Sequence, residues 1–413
     1  MKTSYARGRP RGFTLIEIMV ATVIMVILMG IIFQLTASMA EIWRSTAGKI
    51  SAFQGSRSGF DALSRSLEQA TLMTYFDYVD AQVPPQPRAS SNESFKPTRY
   101  ARASELHFLC GPAYEPAGPS RSLISGATAN NVQGHAIFYQ AALGLVSDTS
   151  EFGGLGELLN SVGFYVEYTD DKPVWPSFIQ SMMGSTPRFR FRLMQWVQPS
   201  ERFSVYRSSR PNGSDFLYDR SWFKDFLPEP GSSSITSLQT RSRMIAEDVI
   251  AVFFRPRLSD QDEDQLDGAP NNSATGGRLA PTYRYDSRLW EKEFASAGGD
   301  PTLLSATFGP SSIALVDLMR NQLPPLIDVV MISIDPKEAD RLCRQSEIPE
   351  ELRIPSNTFH LRTEANAADF LFNPDVSGQS DIEKYEAQLS AARVNYRVFR
   401  ATLNVKGAKW SVE

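Results

Sequence analysis

Glu17 lies near the start of an apolar run, "RPRGFTLIEIMVATVIMVILMGIIF", that extends from Arg9 to Phe33. From Ile18 to Phe33 no residue is charged, and only Thr22 and Gly30 break the run. A carboxylate beside a membrane-length segment is costly unless something uses it. The plain alternative is that it snorkels to a lipid interface. Arg188-Phe189-Arg190-Phe191-Arg192-Leu193 alternates strictly, which puts three arginines on one strand face. Such a stripe either holds an anionic partner or is the solvated face of a half-buried strand, and the second reading is the expectation. Asp260-Gln261-Asp262-Glu263-Asp264 places acids where a calcium loop begins. Gln265 and Asn271 stand where an EF-hand needs glycine and glutamate, so an acidic surface loop is expected there.

The remaining candidates for chemistry are few. His107, His135 and His360 are far apart in sequence and are read as surface or core residues, not as ligands or bases. Cys110 and Cys343 make no metal spacing and no C-x-x-C motif. They form either one disulfide in an exported domain or two separate buried thiols. There is no G-x-S-x-G, no H-E-x-x-H and no P-loop. The expectation is a chain without a cofactor or a metal, and not an enzyme. A formal net charge of -4 gives no bulk sign of a nucleic-acid binder.

These residues need elements to position them. An α-helix from Phe13 to Leu35 rises about 35 Å, enough for a hydrocarbon core of ~30 Å. Lys2, Arg7, Arg9 and Arg11 precede it with no acid among them, which places the N-terminus in the cytoplasm. Trp43, Ala47, Ile50, Phe53, Phe60, Leu63, Leu67 and Ala70 then recur at three- and four-residue spacings. They predict that the helix continues to about Thr74, weakened at Gly30, Gly48, Gly55 and Gly59. After it, short runs rich in Val, Ile, Phe and Tyr predict strands over Glu105–Leu109, His135–Gln140, Val162–Tyr168, Arg188–Trp196, Asp248–Phe254, Leu326–Ile334 and Asn395–Val405. Helices are expected over Pro336–Arg344 and Asp381–Arg393. The fold class is α+β: a long N-terminal helix, then a β-rich head with long loops. The expected division is a leader at 1–12, a transmembrane helix at 13–35, an amphipathic continuation at 36–74 and a head at 75–413.

Three fates compete for the N-terminus. A basic flank and an apolar run suffice for an uncleaved signal anchor. Ser38-Met39-Ala40 offers small residues for signal-peptide removal, although the apolar run exceeds the usual ~7–15-residue core. The third fate comes from Arg11-Gly12-Phe13-Thr14-Leu15-Ile16-Glu17, which resembles the cleavage and methylation motif of type IV pilins and type II secretion pseudopilins. The resemblance implies that a prepilin peptidase cuts after Gly12 and N-methylates Phe13. It implies that Glu17 then meets the terminal ammonium of a neighbouring subunit during fibre assembly. The cut removes four positive side chains and takes the formal charge from -4 to -8. The implied partners are the peptidase, other pilin or pseudopilin subunits and the bacterial inner membrane, with the head periplasmic and no nucleic acid. "RFRFRLMQWVQP", "AEDVIAVFFRPRL", "LPPLIDVVMISID" and "NYRVFRATLNVKGAKWS" further resemble J-type minor pseudopilins and the C-type cassette proteins of the Verru_Chthon group. A large head of this kind suits a fibre tip. The alternative is an anchored periplasmic binding protein or enzyme.

Overall fold

One helix, α1 (Leu15–Leu67), carries the apolar run and continues into the β-rich region. The computed structural model describes residues 14–79, 95–116, 122–124, 126–146, 149–172, 187–205, 221–224, 242–259, 262, 279–280, 282–288, 307–308, 313–314, 320–362 and 367–409. The chain divides into two compact units, Met1–Ser51 and Ala52–Glu413. The helix ends at Leu67, short of the expected Thr74. Ala70 and Thr71 instead form a short strand, β1, whose backbone pairs with Ala141 and Gln140. Thr71 is thereby committed to a sheet ladder, and Met73 takes a left-handed φ of 45° that no helix contains.

The strands that follow are β2 (Tyr75–Val79), β3 (Arg99–Ala103), β4 (Leu109–Pro112), β5 (His135–Ala142), β6 (Leu159–Asp170) and β7 (Phe189–Gln198). Next come β8 (Ser242–Glu247), β9 (Val249–Arg257), β10 (Tyr285–Asp286), β11 (Thr307–Phe308), β12 (Ile313–Ala314), β13 (Leu326–Ile334) and β14 (Tyr396–Asn404). A seven-stranded antiparallel sheet runs β10-β4-β5-β6-β7-β8, with β1 beside β5. A three-stranded antiparallel sheet runs β14-β13-β9. Two ribbons, β2-β3 and β11-β12, complete the described strands. The class is α+β, as the pattern of one long helix and many short strands requires.

The chain passes from the larger sheet to the smaller at Asp248. Sequence reading predicts a single strand over Asp248–Phe254, whereas the structure has two strands meeting at that residue. Its φ of 57° turns the chain, since aspartate tolerates the left-handed region better than most residues. Its N–H donates to Phe191 O of β7 at 2.8 Å, and its carbonyl accepts from Ile334 N of β13 at 2.9 Å. One residue therefore closes a hydrogen bond in each sheet. Beyond it β9 packs over β5, β6 and β7. Every residue from Val249 to Pro256 is buried, which is why the stretch reads as continuous apolar sequence and not as alternation.

The edge of β9 that faces away from β13 is closed by side chains. Gln133 Nε2 donates to Ile250 O at 2.7 Å, and Phe254 N donates to His135 Nδ1 at 3.0 Å. Gly134 lies between these two, and a Cβ built on it would come within 2.7 Å of Val252 O. Pro256 has no N–H to satisfy. Each device removes a polar edge group from a place that water cannot reach.

The C-terminal part of α1 belongs to this core. Ser56, Gly59, Phe60, Leu63, Ser66 and Leu67 are buried at helical spacing. Phe60 stacks on Phe399 of β14 at 5.8 Å, and Tyr139 of β5 donates to Ser66 Oγ at 2.8 Å. Gly59 permits the closest approach, because a Cβ there would lie 2.8 Å from Ala246 Cβ and 3.3 Å from Ile245 O. Gly55 has nothing within 4 Å of such a Cβ. The two glycines therefore separate packing from helix propensity. Gly59→Ala is expected to destabilise the protein by about 1–3 kcal/mol through overpacking. Gly55→Ala is expected to be neutral or stabilising by up to ~1 kcal/mol. Denaturant unfolding in detergent, followed by the fluorescence of buried Trp196 and Trp222, measures both. Equal effects at the two positions would refute the close-approach account.

Candidate assembly site

Gly12 and Phe13 lie outside the described residues, and the first described residue is Thr14. Thr14 and Glu17 form a reciprocal cap at the start of α1. Thr14 N and Thr14 Oγ1 both donate to Glu17 Oε2, at 2.9 and 3.0 Å, and Glu17 N donates to Thr14 Oγ1 at 3.4 Å. This is the Ser/Thr-x-x-Glu arrangement that satisfies orphan N–H groups in a first helical turn. The helix dipole favours a carboxylate there by typically ~0.3–1 kcal/mol. Thr14 is a residue that sequence reading missed, although its spacing from Glu17 carries the signal. Both of its bonds fall on one carboxylate oxygen.

The helix from Leu15 to Trp43, 29 residues, is long and apolar enough to cross a membrane. Among the described residues none covers it: Phe33 is 73% and Trp43 77% exposed. The apolar character runs past the expected end at Leu35 to Trp43. Exposed all round at this length, such a helix is covered by lipid or by other helices.

In the head, the arginine stripe differs from its expectation. Arg190 is held by Asp248 at 3.3 Å, by Pro336 O at 3.3 Å and by the carboxylate of Asp340. Arg192 is buried, lies across from Glu167 on one side and Glu247 on the other, and donates to Thr169 Oγ1 at 2.9 Å. Only Arg188 is near the expected solvated state, because cross-strand and crossover carboxylates have desolvated the other two. Burial, partly opposed by Arg190, pushes the Asp248 carboxyl up to about 6. Phe189 and Phe191 stack on Tyr168 at 5.9 and 4.6 Å.

Cys110 and Cys343 are free, each buried separately. Burial pushes the Cys343 thiol up to about 12 and that of Cys110 higher still, so neither is a nucleophile at neutral pH. Of Asp260–Asp264 only Asp262 is described, and it accepts from Ser259 Oγ at 2.6 Å. Among the described residues no group of three His, Cys, Asp or Glu could hold a metal ion.

The histidines do meet. His135 and His360, distant in sequence, have ring centroids 5.2 Å apart, and Tyr283 lies 4.8 Å from His135. His107 Nε2 faces Asp286 at 2.7 Å and its Nδ1 accepts from Trp222 Nε1 at 3.0 Å, which fixes a neutral tautomer. Burial, reinforced by His360, holds His135 well below its ordinary range. Burial and then Arg284 hold His360 down to about 3. The unfolded chain therefore binds these protons at higher pH than the folded one. Their contribution is intact above about pH 6.5 and is lost as pH falls towards the folded value. Asp248 works in the opposite sense below about pH 6, so the single-site difference is the clean measure. His360→Asn is expected to flatten the fall in Tm between about pH 7 and pH 5 relative to the parent chain. Parallel Tm profiles for the two proteins would refute it.

Residues 7–33 match the family described as the prokaryotic N-terminal methylation motif. No curated protein and no solved structure matches the chain. The matched stretch holds Gly12, Phe13, the Thr14–Glu17 cap and most of the apolar helix, and it supports a prepilin-peptidase substrate of the type IV pilin or pseudopilin kind.

Proposed function

We propose that the chain is a minor pilin or pseudopilin subunit. A prepilin peptidase cuts it after Gly12 and methylates Phe13, and it then enters a type IV pilus-like fibre or a type II secretion pseudopilus. The observation that carries this reading is the methylation motif at residues 7–33, overlapping a 29-residue apolar helix that no described residue covers. Before assembly the helix sits in the inner membrane as a single pass, with Lys2, Arg7, Arg9 and Arg11 on the cytoplasmic side and the β-rich head periplasmic. In the fibre the same surface packs on other subunits. The head, whose strand sequences resemble those of J-type pseudopilins, would sit at the tip, where its bulk meets no repeat of itself.

The mass of the N-terminal peptide from protein extracted from native membranes tests processing. The expected terminus is N-methylated Phe13; an intact Met1 or a terminus at Glu41 would overturn the proposal in favour of an anchored or secreted factor. Glu17 needs a finer test, because capping alone could account for it. Glu17→Gln keeps an acceptor oxygen for Thr14 but removes the charge, whereas Glu17→Ala removes both. If Glu17 pairs with a neighbour's terminal ammonium, both substitutions abolish incorporation into fibres, read by immunogold labelling. Normal incorporation of Glu17→Gln would reduce Glu17 to a cap.

A further inference from the structure

The two edges of the three-stranded sheet are treated differently. On β9, side chains and a proline close the edge. On β14 nothing comparable occurs. The register with β13 and the flanking bonds Val405 N to Pro325 O at 3.1 Å and Asp335 N to Asn395 O at 2.9 Å fix which residues face inward. Arg397, Phe399, Ala401 and Leu403 therefore bond to β13, while Tyr396, Val398, Arg400, Thr402 and Asn404 turn their N–H and C=O groups outward. Among the described residues no group bonds to those outward amides and carbonyls. Both faces of β14 are in use. Phe60 and Phe53 of α1 meet Phe399 and Arg397, while Phe372 and Glu386 meet Arg400 on the opposite side. The strand is thus packed on both faces, and among the described residues its outer edge is open.

The stretch of chain that carries that edge is basic in its own sequence. From Ala387 to Val412 the chain has Arg393, Arg397, Arg400, Lys406 and Lys409 and no acid, within a protein of net charge -4. The acids that reach these cations come from other elements: Glu386 lies 3.4 Å from Arg400, and Glu68 lies 3.7 Å from Lys406. Arg400 keeps 46% of its side chain exposed despite its partner. Two copies of β14 paired antiparallel about Arg397, or about Arg400, would bring that arginine against its own counterpart, and like charges across a ladder are destabilising.

We propose that β14 is a docking edge for an acidic, extended segment of a different polypeptide, which adds a fourth strand to the β14-β13-β9 sheet. Main-chain hydrogen bonds to Tyr396, Val398, Arg400, Thr402 and Asn404 hold the segment, and its alternating acids, which share one face, meet the half-exposed Arg400 on that face. The edge functions this way whether or not the chain enters a fibre, so it stands apart from the processing of the N-terminus.

The test is amide hydrogen exchange of the full chain in detergent, with two synthetic peptides as probes. One alternates valine and glutamate over the length of β14; the other replaces each glutamate with lysine. The glutamate peptide is expected to slow exchange at the outward amides Val398, Arg400 and Thr402 by about tenfold or more, and less as salt rises. The lysine peptide is expected to leave them unchanged. Val398→Pro removes one outward N–H without touching the β13 ladder, and proline is tolerated at such edge positions. It is expected to abolish the protection, and Asn404→Pro at the strand's end to weaken it. No protection by the glutamate peptide, or equal protection by both peptides, would overturn the proposal. So would protection that grows with protein concentration alone, which would mean pairing between copies of this chain.

Discussion

Strand β9 has to satisfy two sheets at once, and most of the head follows from how it does so. The chain leaves the seven-stranded sheet at Asp248 and enters the three-stranded one a single residue later. A strand buried on both faces cannot leave polar backbone groups unpaired, each of which would cost about 1–3 kcal/mol. One edge is met by β13, and the other has only side chains available. Gln133 just before β5 and His135 at its first position reach it, Gly134 between them permits the close approach, and Pro256 removes a donor. Burial of the same histidine, reinforced by His360, depresses its proton affinity, while its contact with the Phe254 backbone works the other way.

The buried ion pairs make the same junction specific. Arg190 ties Asp248 to the start of helix Pro336–Leu342, which follows directly on β13. Asp328 on β13 accepts from Thr402 on β14 at 2.6 Å and faces Arg255 and Arg257 on β9 at 3.2 and 3.1 Å. All three strands of the small sheet are therefore held in register by one carboxylate. Removing it would take a shared carboxylate from two guanidinium groups beside a buried ladder, which is more costly than losing an apolar contact.

Legibility in the sequence tracks how local each cause is. β13 is found at its true limits, Leu326–Ile334, because an apolar β-branched run sits between Pro325 and the Asp335–Pro336 start of a helix, and both boundaries are local chemistry. The Ser380–Glu383 capping box likewise marks the helix Asp381–Ala391. The sheet switch was not legible, since one aspartate in a left-handed conformation leaves almost no sequence trace. The fate of the arginine stripe was not legible either. Alternation correctly gave its strand, but whether Arg190 is solvated depends on Asp340, 150 residues away. The meeting of His135 with His360 and the separate burial of the two cysteines are of the same long-range kind. At the N-terminus the motif and the apolar run were plain, while the cap by Thr14 was present as a spacing and was passed over.

That cap changes what Glu17 has to do. Under the proposed assembly the carboxylate both caps its helix and pairs with an ammonium, and its two oxygens let it meet both demands. Oε2 takes both Thr14 donors, so the first turn is closed before any neighbour arrives, a contribution of typically ~0.5–2 kcal/mol for a capping side chain. The cap also fixes the rotamer, so a pairing cation meets an ordered acceptor and loses less entropy in binding it. A charge in the apolar run is then not an isolated liability. It is stabilised by its own helix, and Oε1, which takes neither Thr14 bond, is the oxygen that the proposed ion pair would use.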